Sequence, residues 1–112
     1  MAATGQDFDL WSGDHKRVIF TVEDLADEET LSGYEVRWAM SRFSGSSVLI
    51  EKSSNHGEID IGDKSFTVKL EPDDTNTLRA GTYYHEAEIY YDGQYISTVS
   101  VGKVSLYSTI LK

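Results

Sequence analysis

The sequence predicts an all-β domain, an antiparallel β-sandwich, on three observations. Side chains alternate between apolar and polar over several short runs, the period-2 pattern of half-buried strands. Asp92-Gly93 stands between two such runs, and a two-residue type I′ hairpin turn favours that pair because both central positions need positive φ. Clusters of Gly, Ser, Asn and Asp recur at short intervals in a chain with 1 proline, so tight turns connect the strands. Counting the short runs gives about eight or nine strands at the spacing of a sandwich. The 112 residues suit one domain over 7-112, and a chain of that size buries roughly 65% of the surface its unfolded form exposes.

Taken in order, residues 1-6 are small and polar and are expected to form a flexible N-terminal arm. Phe8 to Trp11 forms a short edge strand. His15 to Val22 alternates, with Val18, Phe20 and Val22 on one face. Glu23 to Gly33 is rich in acids but lacks the spaced pattern of a calcium loop, which makes it a solvated turn. Tyr34 to Phe43 is the second long strand; Val36, Trp38 and Met40 share a face, and the Trp38 ring in that register reads as packing. Ser44-Gly45-Ser46 turns into Ser47 to Lys52, Glu58 to Ile61 follows, and Gly62-Asp63-Lys64 turns into Ser65 to Leu70, a series expected to form consecutive antiparallel hairpins.

Pro72 to Leu78 breaks the strand rhythm. Proline suits the first turn of a helix and Asp73 and Asp74 suit its positive end, so one short helical turn is expected within 72-78. The central hairpin follows. Tyr83, His85, Ala87, Ile89 and Tyr91 fall on one face, with Tyr84, Glu86, Glu88 and Tyr90 on the other; a two-residue turn would add Val99 and Val101 to the second face. Gly102 is expected to bend or bulge the chain before a last strand, Lys103 to Ile110. The expected structural core includes Phe20, Trp38, Tyr83 and Ile89.

Charge narrows the partners. With 19 acidic against 10 basic side chains the formal charge is −9, which argues against nucleic acid and against an anionic membrane surface. The chain has no cysteine, so disulfides and thiolate metal sites are excluded. No apolar run is long enough to span a bilayer, and the N-terminus lacks the pattern of a secretory signal.

The chain carries no pattern that points to an enzyme, a cofactor or a metal. His15, His56 and His85 are scattered, with no H-E-x-x-H, G-x-S-x-G or phosphate-binding glycine loop. His85, on the inward face, reads as a buried, hydrogen-bonded histidine. Glu86 and Glu88 project from one strand face, whereas glycoside hydrolysis needs two carboxyls across a cleft. The surface signal comes from tyrosines. Tyr84, Glu86, Glu88, Tyr90 and Tyr95 mix aromatic area with a polar rim, which suits a protein interface and equally suits cross-strand pairing that supports the sheet.

An acidic residue, a short helical turn, a small residue and then Tyr83 resemble the corner before the sixth strand of an immunoglobulin-type domain, and Trp38 lies where that fold keeps its core tryptophan. By that resemblance Phe20 and His85 stand near the positions of the antibody cysteine pair. A wider resemblance covers nearly the whole chain. Gly13-Asp14 precedes the first long strand and Leu31-Ser32-Gly33-Tyr34 opens the next. Leu70, Asp74-Thr75, Leu78, Gly81 and Tyr83 introduce the late hairpin, and Val99, Gly102 and Val104 close the domain. This order is similar to that of the small immunoglobulin-like structural domains of tailed bacteriophages, found in baseplate, tail and virion-attachment proteins. The resemblance implies an immunoglobulin-like sandwich acting as a non-catalytic structural protein of the virion, assembled in the host bacterial cytoplasm. Its partners would be other virion proteins or further copies of itself as a homo-oligomer. The alternative is a receptor- or glycan-binding adhesion module.

Overall fold

The computed structural model describes residues 5–22 and 30–108. Among them eight strands form two sheets: β1 (Phe8–Trp11), β2 (Lys16–Thr21), β3 (Glu35–Ser41), β4 (Val48–Ser53), β5 (Ile59–Ile61), β6 (Ser65–Leu70), β7 (Gly81–Tyr91) and β8 (Gln94–Tyr107). A 3₁₀ turn at Ser54–His56 and one helical turn, α1 (Pro72–Thr75), complete the elements. The larger sheet runs β1-β8-β7-β3-β4 and the smaller β2-β6-β5. Setting the second, fifth and sixth strands against the third, seventh and eighth is the strand division of an immunoglobulin-like sandwich, the expected fold class.

One pairing is parallel rather than antiparallel. β1 lies beside β8 with Phe8 opposite Val104 and Trp11 opposite Tyr107. The chain crosses to the smaller sheet directly after Trp11, so β1 and β2 lie in different sheets and cannot form a hairpin. The stretch from Tyr34 to Leu70 departs from expectation in the same way. β3 pairs with β4 and β5 with β6, but the two hairpins belong to opposite sheets. The switch follows the 3₁₀ turn, which Gly57 ends at φ 73°.

The central hairpin turns as expected, with Tyr91 opposite Gln94, Asp92 at φ 52° and Gly93 at φ 79°. Its second strand is longer than predicted. β8 continues through Gly102 without a break, and its register against β7 shifts twice nearer the turn, between Ala87 and Glu88 and between Ile89 and Tyr90. Each extra residue resets the alternation, so Val99 turns into the core while Val101 stays opposite Glu86. Gly102 is needed for close approach instead. A Cβ there would lie 2.5 Å from the Gln6 carbonyl oxygen and 2.8 Å from His85 Nε2.

The core fills the space between the sheets. Phe20, Phe66, Val68 and Leu70 from the smaller sheet meet Val36, Trp38, Met40, Ala87, Ile89, Val104 and Leu106 from the larger, and Tyr83 is buried with them. The crossing after β6 is built around α1. Pro72 opens it, and the Glu71 N–H donates to Asp74 Oδ2 at 2.7 Å. Buried Thr75 then ties this corner to the β1–β2 crossing: its Oγ1 accepts from the Gly13 N–H at 2.9 Å and its carbonyl from Ser12 Oγ at 3.2 Å. The Tyr83 hydroxyl donates to the Arg79 carbonyl at 2.6 Å, the tyrosine-corner bond of immunoglobulin-like domains. Of the arm expected over 1-6, residues 1–4 lie outside the described residues, as do 23–29 of the acidic turn and the end of the expected last strand. Gln6 is not loose: its N–H donates to the Val101 carbonyl at 3.1 Å and its own carbonyl meets His85.

Candidate functional site

Alternation along β7 points Tyr84, Glu86, Glu88 and Tyr90 away from the core, and all four are half-buried. Pairing on both sides decides their neighbours. β3 places Ser41, Ala39, Arg37 and Glu35 opposite Tyr84, Glu86, Glu88 and Tyr90 in that order, and β8 places Lys103, Val101, Thr98 and Tyr95 opposite the same four. The five residues expected to form an interface therefore share one face of the larger sheet, with Tyr95 the most exposed.

The face is cross-linked by its own side chains. Arg37 forks onto Glu35, Nε to Oε2 at 3.0 Å and a terminal nitrogen to Oε1 at 3.1 Å, while its guanidinium carbon lies 4.0 Å from the Tyr90 ring centroid. The Tyr90 hydroxyl donates to Glu88 Oε1 at 2.9 Å, and Tyr95 meets Tyr90 edge to face at 6.0 Å. Ser53 Oγ also donates to Glu35. The Arg37 hydrogen bond holds the Glu35 carboxyl below its ordinary value, with Ser53 acting the same way. Glu86 is pushed upward, first by burial and then by its contact with Glu88. Burial, followed by Glu86 and Glu88 respectively, also raises the Tyr84 and Tyr90 hydroxyls.

Two hollows lie beside these residues. A hollow of about 230 Å³ lies beside Ala39, Glu51, Tyr84 and Glu86, below the roughly 300–1,000 Å³ of clefts that enclose small ligands. A second hollow, about 380 Å³, is walled by Glu35, Arg37, Ser53, His56 and Glu58, whose polar groups already engage one another. Glu86 and Glu88 are neighbours on one strand, and Glu51, on the far side of Ala39, lines the same hollow. His15 and His56 each approach a single glutamate, Glu71 at 3.6 Å and Glu58 at 3.7 Å.

Two inward sites complete the picture. His85 is fully buried, its ring centroid 5.2 Å from that of Phe8, 5.3 Å from Phe20 and 5.9 Å from Trp38. The Trp38 indole Nε1–H donates to its Nδ1 at 3.1 Å, and its Nε2 lies 2.6 Å from the Gln6 carbonyl. Both contacts are satisfied by one neutral tautomer, with the proton on Nε2. Burial favours that neutral form and pushes the imidazole below its ordinary value. Phe20 against His85 occupies the place that the antibody resemblance implied for a cysteine pair, and packing substitutes for the bond. The second inward site is Lys52, opposite Trp38 in register, with a side chain only 7% exposed. Its Nζ lies 2.8 Å from Asp74 Oδ2 and 3.8 Å from Glu58 Oε2.

Phe20, Trp38, Tyr83 and Ile89 all lie in the core. Sequence reasoning missed Arg37 and Glu35 as members of the tyrosine face, although their alternation opposite Val36 and Trp38 was the available signal. Nothing local to Gln6, Lys52 or Asp74 marks their roles, which arise from contacts between distant segments. No family model matches the chain, and no curated protein matches it in sequence. The fold and face together define an immunoglobulin-like β-sandwich whose larger sheet presents an ordered aromatic and acidic surface.

Proposed function

We propose that the chain is a non-catalytic structural component of a tailed phage particle, working through protein–protein contacts made by the face that carries Tyr84, Glu86, Glu88, Tyr90 and Tyr95. The observation that carries this reading is the fixed Glu35–Arg37–Tyr90–Glu88 network. Side chains already held in place lose little rotamer freedom on docking, and tyrosine and arginine surrounded by polar groups are the residues that protein contacts favour. The order of motifs from Gly13-Asp14 to Val104 supports the phage setting by resemblance. Partners are other virion proteins, with symmetric self-association expected where the particle repeats the subunit.

Peptide mass spectrometry of purified particles, with copy number set against the major capsid protein, tests this. A fixed stoichiometric presence is expected, together with loss of incorporation on Tyr90→Ala in a chain that still folds. Consistent absence from intact particles overturns the structural reading. Saturable binding of a soluble glycan, lost when one exposed aromatic is replaced, would instead establish an adhesion module.

A further inference from the structure

We propose that the His85 site is an acid-sensitive latch that holds the N-terminal segment, residues 5–11, against β8. The latch depends on no role in a particle and follows from what surrounds the ring. Phe20, Trp38 and Met40 come from β2 and β3 in the interior, and Gly102 from the middle of β8. The remaining wall is the segment itself, through the Gln6 carbonyl and the Phe8 ring. β3 lies between β4 and β7 and β2 is held to β6 over six residues, whereas β1 is four residues long and, among the described residues, pairs with β8 alone. Opening at the segment is therefore the least costly route by which water reaches the imidazole.

The chemistry of the ring couples that opening to acid. In the closed state Nε2 donates to Gln6, and Nδ1 must lack a proton because the Trp38 indole N–H points at it. A second proton on the ring sets two donors against each other and leaves a cation among aromatic rings. The charged groups near it are few. Among the described residues, Asp7, on the segment, is the titratable group whose field reaches the imidazole, and its Oδ1 is already held by the Lys103 N–H at 2.8 Å. Phe20, Trp38, Met40 and Gly102, from the other elements around the ring, do not titrate. The closed state thus binds fewer protons at His85 than the open state, whose imidazole titrates near ~6.5. As pH falls below that value the open state gains, by up to about tenfold per pH unit. Opening bares the Val101 carbonyl and the Lys103 N–H, two backbone groups the segment now satisfies.

Hydrogen exchange read by mass spectrometry between pH 7.5 and 5, corrected for intrinsic rates, tests the latch. Protection of residues 6–11 is expected to fall by about tenfold per unit below pH 6.5, with β3 and β7 still protected. His85→Gln offers the same donor and acceptor without titrating, so its segment is expected to stay closed across the range. Gly102→Ala forces the Gln6 carbonyl away and is expected to open the segment at pH 7.5; it serves should His85→Gln fail to fold. NMR of the wild-type ring supplies an independent reading, the Nε2–H neutral tautomer persisting below pH 6. Protection of residues 6–11 that is independent of pH, or an acid response that appears equally in β3 and β7, overturns the proposal.

Discussion

Lys52 gives an asymmetric pair of substitutions whose order follows from burial. Its side chain is 7% exposed, whereas its partners Asp74 and Glu58 are 19% and 35% exposed, so the two ends of the ion pair differ in access to water. Asp74→Asn removes the close counter-charge but keeps an oxygen able to accept from the Glu71 N–H, so the turn at α1 survives. It strands a buried ammonium with Glu58 at 3.8 Å as its remaining anion. Breaking a fully buried pair costs about 3–5 kcal/mol, and the remaining anion and partial exposure reduce this to about 2–3 kcal/mol here. Lys52→Met removes the buried charge, keeps most of the volume and leaves Asp74 with a backbone donor and water, at a cost of about 0–1 kcal/mol. The double variant is expected to match Lys52→Met. Urea unfolding followed by tryptophan fluorescence measures all three, and in a thermal melt Asp74→Asn alone should lower the midpoint temperature by roughly 10 °C. Equal destabilisation by the two single variants, or an additive double variant, would refute the reasoning.

Two further substitutions probe the corner and the face. Tyr83→Phe deletes the hydroxyl that donates to the Arg79 carbonyl and keeps the ring in the core, for an expected loss of about 1–1.5 kcal/mol in urea with an unchanged m-value. Glu86→Gln addresses a carboxyl whose folded value is raised by burial and Glu88. The folded state then binds more protons than the unfolded one across the window between the two values, so stability falls as pH rises through it. The glutamine should stabilise by less than about 1 kcal/mol at pH 7 to 8, given the partial exposure, and the gain should vanish near pH 4, where both states are protonated. A gain that persists at pH 4 would assign the effect to packing.

How much of this was legible in the sequence depends on the range of the interactions. β2, β3, β6 and β7 follow from alternation, and the Asp92-Gly93 turn from the need for two positive φ values, because both signals reside in a few adjacent residues. The burial of Trp38 and the corner at Tyr83 were legible for the same reason. The two register shifts in β8 were not, since each depends on how β7 packs, and they sent Val99 inward against its local pattern. Gly102 was recognised as special, but the cause lies in Gln6 at the far end of the chain. The tyrosine face was found from β7 alone, whereas its binding cation, Arg37, joins it through the pairing of β3.

The parallel pairing of β1 with β8 also fixes the order in which the molecule can be completed. Among the described strands β1 pairs with β8 alone, so it has no sheet partner until nearly all of them have been made. Contacts of such long sequence separation close late and slow the search for the native state. During synthesis from the N-terminus, β3, β4, β5 and β6 can meet before the ribosome has released β8, while β1 must wait unpaired. The waiting strand includes Phe8 and Leu10, apolar side chains that the finished sandwich covers to very different degrees, Leu10 completely. The apolar side chains of β1 therefore stay without a sheet to cover them until β8 docks.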